Sequence, residues 1–208
     1  MHRYFVINKP YHMVSQFISS HKVRLLGDVD FDFPEGTHAI GRLDNHSEGL
    51  LLLTTDKRVT KLLFESQIPH KRTYLVKVRR EVSPEALLQL QTGVSIIIKG
   101  GVSYTTPPCD VQIVTPPADL FVGGSRQRED LPYTWLSITL TEGKYHQVRK
   151  MVAAVHHSCV RLIRTSIEGI ELGNLQPGEV REMAATDFFE QLHIDRWQET
   201  KTSDENNL

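Results

Sequence analysis

The residues best suited to chemistry in this 208-residue chain lie in one short stretch around an aspartate. Asp44 follows Arg42 by two positions, and the chain then enters four consecutive leucines at residues 50–53. An apolar run of this length, bounded by Gly49 and Thr54, predicts a buried strand. A turn anchored by such a strand would hold Asp44 rigidly, as a nucleophile or a proton acceptor requires. Aspartate is also a common turn former, and spacing alone favours that simpler interpretation.

Two further elements would have to position partners for this carboxylate. Residues 71–78 alternate as a strand does, and the pattern alone makes Tyr74 a core aromatic. A helix is predicted soon after Gly143, with Val148 on its apolar face and Arg149 on an adjoining one. An exposed basic helix face is the simpler interpretation of that segment.

Four segments together resemble the pseudouridine synthases, in particular the branch that modifies ribosomal RNA and is named for its small-subunit enzyme. They are Gly41-Arg42-Leu43-Asp44 with Gly49-Leu50-Leu51-Leu52-Leu53-Thr54-Thr55-Asp56, Asn8-Lys9-Pro10-Tyr11, Lys71-Arg72-Thr73-Tyr74, and Glu142-Gly143-Lys144-Tyr145-His146-Gln147-Val148-Arg149-Lys150-Met151. The resemblance extends from about residue 3 to about residue 190. One departure is His12, where the family usually has a small residue after the aromatic.

The resemblance implies a role for each matching residue. Asp44 is the catalytic residue, Tyr74 stacks on the target base, and Arg149 approaches Asp44. A guanidinium near a partly buried carboxylate keeps it ionised and fixes its orientation. Arg42 fills the space that a flipped base leaves. The residues expected to contact RNA are Arg42, Lys9, Arg72, Lys144, His146, Gln147 and Lys150.

The reaction implied is isomerisation of a specific uridine to pseudouridine in ribosomal RNA, expected in the 23S rRNA of the large subunit. Asp44 either attacks the nucleotide or removes a sugar proton, and the sequence leaves both routes open. Because the reaction is redox-neutral, no cofactor, nucleotide or metal is expected. A cluster at His156, His157 and Cys159 lacks a matching pair of metal ligands elsewhere in the chain.

The charge distribution agrees with an RNA partner although the formal net charge is −1. Residues 57–80 carry eight basic side chains and one acidic one, whereas residues 167–208 carry three basic and ten acidic ones. A nearly neutral total can therefore combine a basic face with an acidic back. Solvated charges without a common face are the alternative.

Composition places the chain among globular proteins, with 39% hydrophobic and 24% charged residues. No segment has the length of a membrane span or the pattern of a signal peptide. The two cysteines, Cys109 and Cys159, lie far apart and suggest no disulfide framework. A reducing cytoplasm is therefore the expected location.

The fold class implied by the resemblance is α+β (mixed α/β), with a large mixed, mainly antiparallel sheet, flanking helices and a central RNA-binding cleft. Residues 1–195 are expected to form one catalytic domain, or two lobes that share one cleft. The polar residues 196–208 are predicted to be a disordered tail. Many relatives carry a small RNA-binding domain before the Asn-Lys-Pro motif. That motif begins at Asn8, so we expect the compact subtype, similar to a bacterial large-subunit enzyme. A monomer is the default expectation.

Propensity and turn signals predict the individual elements. Strands are expected at 3–8, 37–40, 71–78, 111–114, 135–140 and 159–165, with 111–114 paired to 135–140. Helices are expected at 57–66 and 83–93, capped by Asp56 and Ser83, and Thr186-Asp187 is expected to cap a last helix.

Two other functions compete with the enzyme. A non-catalytic RNA-binding or ribosome-assembly factor would use the same cleft, but it has no use for a carboxylate that faces phosphates. An unrelated hydrolase with Asp44 as its nucleophile would need a second acid or base nearby, and the sequence offers no convincing one.

Overall fold

The computed structural model describes residues 1–64, 69–124, 131–195 and 197. In chain order its strands are β1 (Tyr4–Lys9), β2 (His38–Ile40), β3 (Glu48–Thr54), β4 (Arg72–Arg79), β5 (Ser95–Ile97), β6 (Ser103–Thr105), β7 (Asp110–Ile113), β8 (Tyr133–Leu140), β9 (Cys159–Ile167), β10 (Ile170–Glu171) and β11 (Val180–Met183). Its helices are α1 (Arg58–Phe64), α2 (Pro84–Thr92), α3 (Gln147–Ala154) and α4 (Ala185–Gln191), with a short 3₁₀ turn at Leu26–Asp28.

Most of these strands belong to a single large sheet in the order β11-β1-β3-β9-β4-β8-β7, with β2 paired to β3 and β10 paired to β9. Neighbouring strands are antiparallel except for β3 and β9, which run parallel at the centre. The strands β5 and β6 form a separate two-stranded ribbon. The α+β fold class and its mainly antiparallel sheet are thus confirmed.

The strand β3 explains the leucine run. It lies between β1 and β9, and all seven of its residues are buried. Leu50 and Leu52 enter one core cluster, whereas Leu51 and Leu53 enter another on the opposite face. A strand that is covered on both faces needs apolar residues at every position, so it shows no alternation.

Capping at the helices agrees with the sequence at two ends and differs at a third. The Asp56 carboxylate accepts a hydrogen bond from the Arg58 backbone N–H at 3.1 Å, and Ser83 Oγ accepts one from the Ala86 N–H at 3.2 Å. The prediction that Thr186-Asp187 caps the last helix is wrong. Ala184 is the N-cap of α4, so both polar residues lie inside its first turn.

Some elements of the chain were not predicted, and some predicted ones lie partly outside the description. The ribbon of β5 and β6 and the edge strand β11 have weak sequence signals because they are three or four residues long. Residues 65–66 of the helix predicted at 57–66 lie outside the described residues, as do all residues of the predicted tail except Trp197. None of the helices in the described ranges has the length and apolar composition to cross a membrane.

Candidate active site

The loop that carries Asp44 connects β2 to β3 and is pinned at several points. The Ser47 N–H donates to the Asp44 carbonyl at 2.9 Å and closes the turn. Ser15 Oγ accepts from the Leu43 N–H and donates to the Leu43 carbonyl, both at 2.9 Å. Leu43 itself is buried, and the Asp44 side chain is 33% exposed. The carboxylate therefore stands at a fixed point where the core meets solvent.

Gly49 allows the central strands to approach each other below this loop. Its φ is +99°, and a Cβ atom there would collide with the backbone of Arg164. Gly49 is also the register partner of Arg164 in the parallel pairing of β3 and β9. Only glycine combines this conformation with this closeness.

The immediate partners of Asp44 differ from the expected one. Its Oδ1 lies 3.5 Å from His146 Nε2. The Arg149 guanidinium instead donates through Nη2 to the His46 carbonyl at 2.7 Å, with Ser47 Oγ at 3.4 Å. The physical reason is that α3 begins just after His146, which adopts a left-handed conformation, so Arg149 meets the backbone of the Asp44 loop. Arg149 therefore fixes the loop rather than the carboxylate.

Tyr74 and two arginines lie on one face of the sheet. Tyr74 on β4 is the register partner of Arg164 on β9, so their side chains point to the same face. Arg72 is two residues before Tyr74 on β4 and shares that face. Arg164 is a site residue that the sequence reasoning missed. Its signal was only that it is one of two arginines in the strand predicted at 159–165.

These residues line a cavity of about 600 Å³. This volume lies in the range of pockets for small organic ligands. Asp44, Tyr74 and Arg164 contribute to its walls. The expected RNA-contacting residues among the lining are Arg42, Arg72, Lys144, His146 and Gln147. Five of the seven residues expected to contact RNA thus border the same space.

Lys9 occupies a different place from the one expected. It is fully buried, and its ammonium donates to the Pro10 carbonyl at 2.9 Å and to the Met13 carbonyl at 2.7 Å. Burial lowers the pKa of Lys9 to about 7, although Glu48 and Asp44 act in the opposite direction. An ammonium enclosed in this way organises the loop after β1 and does not face RNA.

Gln147 is likewise buried, although it borders the cavity. Its Oε1 accepts from the Lys144 N–H at 2.8 Å, and its Nε2 donates to Glu142 Oε1 at 2.6 Å. These bonds close the turn before α3. Gln147 therefore shapes the loop that presents Lys144 and His146.

Aromatic rings lie beside Asp44, where Tyr11 and His46 line a second cavity that Asp44 and His146 also border. The His12 ring lies 4.2 Å from the Tyr11 ring and 4.8 Å from the His46 ring, centroid to centroid. The rings of Tyr145 and His146 are stacked at 3.9 Å. The pKa of His46 is lowered, first by burial and then by His12 and Arg149. Rings at this position suit a partner with flat bases.

Lys150 lies outside the cavity lining and is half-buried. Its ammonium lies 5.1 Å from the centre of the Tyr145 ring. Arg42 and Lys144 are exposed at the mouth of the cavity. The exposed cations Arg42 and Lys144 thus lie at the opening of the cavity, whereas Arg72 and Arg164 are enclosed.

Comparison with known proteins places this geometry in a family. Residues 3–154 match the family model described as RNA pseudouridylate synthase. The chain is 36% identical over 181 residues to the ribosomal large subunit pseudouridine synthase E of Vibrio vulnificus, covering 86% of this chain and 74% of the relative. It is 35% identical over 183 residues to the protein of the same name from Xanthomonas axonopodis, covering 87% and 94%.

A small-subunit relative and a solved structure agree with this assignment. The ribosomal small subunit pseudouridine synthase A of Escherichia coli is 31% identical over 182 residues, covering 87% of this chain and 70% of the relative. A crystal structure described as a pseudouridylate synthase superposes with a TM-score of 0.73 at 27% identity, covering 92% of this chain and 74% of that one. With a matching family model, sequence relatives over most of their length and a shared fold, this chain belongs to the RNA pseudouridylate synthase family.

Proposed function

We propose that this protein isomerises a specific uridine of ribosomal RNA to pseudouridine and that Asp44 is its catalytic residue. The observation that carries the proposal is the position of Asp44. Its partly exposed carboxylate is held by a pinned loop and lines the same cavity as Tyr74. A flat aromatic platform beside a fixed carboxylate suits a flipped base whose sugar must be attacked.

The large-subunit RNA is the proposed substrate. The two large-subunit relatives are 36% and 35% identical to this chain, and the small-subunit relative is 31% identical. The difference is modest, so the experiment below uses both RNAs. Residues 1–195 would form the catalytic domain. A ribosomal RNA substrate would also agree with a cytoplasmic location for the protein.

Each step of the reaction has a candidate residue. The target uracil leaves its helix or loop and stacks on Tyr74, while exposed Arg42 fills the space that it vacates. Asp44 then attacks C1′ as a nucleophile or removes a sugar proton. The glycosidic bond breaks, the uracil turns, and C5 bonds to C1′. Arg149 keeps the loop of Asp44 in place through the His46 carbonyl.

RNA phosphates would be held by cations at the cavity mouth. Arg42 and Lys144 are exposed there, and Lys150 lies one turn into α3. Contacts of this kind release counterions, so binding should weaken as salt is added. They provide affinity and register and leave the chemistry to the residues inside the cavity.

The test compares the wild type with Asp44→Asn on transcripts of both ribosomal RNAs, with pseudouridine detected at nucleotide resolution. The expected result is one modified uridine in the large-subunit transcript and a loss of about 1,000-fold or more in turnover for the variant. RNA affinity should stay within about tenfold, or about 1.4 kcal/mol. Asp30→Asn, at an exposed carboxylate that does not line the cavity, is the matched control.

Two outcomes would oppose the proposal. If the wild type binds RNA but forms no pseudouridine in any transcript or assembling particle, the protein is an RNA-binding factor. If Asp44→Asn keeps its turnover, the catalytic residue lies elsewhere.

A further inference from the structure

Arg164 is a buried cation with an unused donor. Its side chain is 4% exposed at the centre of the sheet. Its Nε donates to the Leu50 carbonyl at 2.8 Å, which fixes the plane of the guanidinium. Its Nη2 is buried and has no hydrogen-bond partner among the described residues. A buried donor without an acceptor is costly, and a guanidinium more so than a neutral group.

The second enclosed cation, Arg72, lies near it on the same face. Arg72 is 9% exposed, and its guanidinium lies 5.3 Å from the centre of the Phe64 ring. Burial lowers the pKa of Arg72, and the nearby charge of Arg164 contributes in the same direction. Two guanidinium groups therefore border one cavity with no carboxylate bonded to either in the described part of the chain. Such an arrangement favours electron-rich oxygen in that space.

The sheet register relates Arg164 to the platform for the base. Arg164 and Tyr74 are direct partners across β9 and β4, and the Cβ atoms of such partners lie about 4.5–5.5 Å apart. A ring stacked on Tyr74 would therefore present one edge to Arg164. The sugar must point toward Asp44, so the edge that meets Arg164 is a base edge.

We propose that Arg164, supported by Arg72, donates a hydrogen bond to a carbonyl oxygen of the flipped uracil and stabilises the negative charge that the ring carries during isomerisation. This inference rests on the proposed function and adds a catalytic residue to it. A uracil ring offers two carbonyl acceptors, O2 and O4, and both gain charge together.

The electron balance of the reaction explains why a cation is needed there. When the C1′–N1 bond breaks, its electron pair leaves with the uracil and spreads over N1, O2 and O4. The ring then turns and its C5 donates an electron pair to C1′. This bond formation releases the Asp44 carboxylate if Asp44 had bonded to C1′, or is accompanied by return of the sugar proton if Asp44 had removed it. The proton on C5 is then lost, and N1 gains one. Either role of Asp44 passes through this anion. A preorganised guanidinium stabilises such charge where water is excluded.

The position of Arg164 favours the base over a phosphate. Phosphates remain attached outside the sugar and keep part of their hydration. The exposed cations Arg42 and Lys144 at the mouth are placed to meet them. Arg164 is almost fully enclosed, where only the inserted ring would reach it.

The experiment uses RNA with uridine, 2-thiouridine or 4-thiouridine at the target position, because sulfur is a much weaker hydrogen-bond acceptor than oxygen. Single-turnover rates are measured for the full-length wild type, Arg164→Lys and Arg164→Met. We expect one of the two thio substitutions to slow the wild type by about tenfold or more. Arg164→Met should slow uridine conversion by about 100-fold and show no added penalty for that sulfur.

Three further measurements keep the result specific. Arg164→Lys retains charge without the planar fork, so its rate should fall between those of the wild type and Arg164→Met. RNA affinity should change by less than about threefold in both variants. Arg42→Lys, at the mouth, should keep the full thio penalty. If Arg164→Met does not fold, the thio series on the wild type and on Arg164→Lys still decides the question.

The inference is overturned if the wild type converts all three RNAs at equal rates, or if the thio penalty is the same in Arg164→Met. It is also overturned if Arg164→Met weakens RNA binding in a salt-dependent way while the bound complex reacts normally, because Arg164 would then hold a phosphate. Failure of the proposed function looks different, since the wild type would then leave even the uridine RNA unchanged.

Discussion

Two arginines three residues apart on β9 have different surroundings. Arg161 forms an ion pair within the fold, whereas Arg164 lines the candidate site. Arg161 is 5% exposed and donates through Nε to Glu48 at 2.8 Å and through Nη2 to the Phe121 carbonyl at 3.0 Å. Arg164 is equally buried but bonds only one backbone carbonyl, and its Nη2 has no partner in the described ranges.

Arg161 is thus part of a buried ion pair, whereas Arg164 has no carboxylate partner among the described residues. A buried ion pair is satisfied within the fold, so removing one member leaves the other charge stranded. A buried cation without a carboxylate instead leaves its attraction available to whatever enters the cavity. We therefore expect substitutions at Arg161 to act on folding and substitutions at Arg164 to act on the reaction.

Arg161→Met should produce the largest loss of stability. Glu48 would remain buried without its cation, so the free energy of unfolding should fall by about 3–5 kcal/mol. Urea unfolding at neutral pH measures the loss. Arg164→Met is the matched control and should lose only about 1 kcal/mol, since it removes one hydrogen bond. Equal losses in both variants would remove the distinction.

Lys9 extends the comparison to a buried cation whose hydrogen bonds, in the described part of the chain, go to backbone carbonyls. Its pKa is about 7 in the folded protein and about 10.5 in an unfolded chain, so the unfolded state binds more protons between these values. Stability should therefore increase with pH, by about 2–3 kcal/mol between pH 7 and pH 9, and should lose this dependence below pH 7.

The Lys9 effect is isolated by comparing urea unfolding of the wild type and Lys9→Met across this range. The variant keeps every other titrating group, so its stability should lack the increase. Parallel curves for the two proteins would show that Lys9 is protonated in the folded state and that its burial is less complete than its geometry indicates.

Gly49→Ala tests whether the closeness of β3 to β9 matters for Arg164. The new methyl group would meet the Arg164 backbone at a positive φ, so we expect a loss of about 2 kcal/mol in unfolding free energy. The turnover of the folded fraction should fall as well. Gly36→Ala is the control, because Gly36 also has a positive φ but open space around its Cβ position. If Gly49→Ala loses no more unfolding free energy than Gly36→Ala, the close approach of β3 to β9 is contradicted.

Lys144→Ala should have the smallest effect. This exposed cation lies 4.9 Å from the Tyr104 ring centre and borders the cavity mouth. We expect RNA affinity to fall less than tenfold, with the salt dependence of binding reduced by about one phosphate contact. Fluorescence anisotropy across a salt series would measure both. An unchanged salt slope would place Lys144 away from the RNA.

The sequence predicted the parts of the fold that have strong local signals. The leucines of β3, the caps at Asp56 and Ser83, and the pairing of β7 with β8 follow from propensity and turn chemistry. The parallel contact of β3 with β9 brings together residues more than 100 positions apart, and no local pattern encodes it.

The sequence predicted which residues form the site better than it predicted which of them contact each other. Asp44, Tyr74 and Arg149 came from motifs, and the fold brings all three close to one loop. The contacts between these residues depend on backbone details such as the left-handed conformation of His146. The sequence therefore predicted that Arg149 contacts the Asp44 carboxylate, whereas in the structure it donates to the His46 carbonyl. The sequence motif gives no sign that Lys9 is buried. The structure shows that it is, and that its ammonium bonds the loop after β1.

The measurement that tests the central claim most directly is pseudouridine mapping of total ribosomal RNA from cells with and without this protein. The account predicts that one site disappears from the large-subunit RNA when the protein is absent. That site should return with the wild type and fail to return with Asp44→Asn. If every site in ribosomal RNA persists without the protein, the claim that Asp44 isomerises a ribosomal uridine is contradicted.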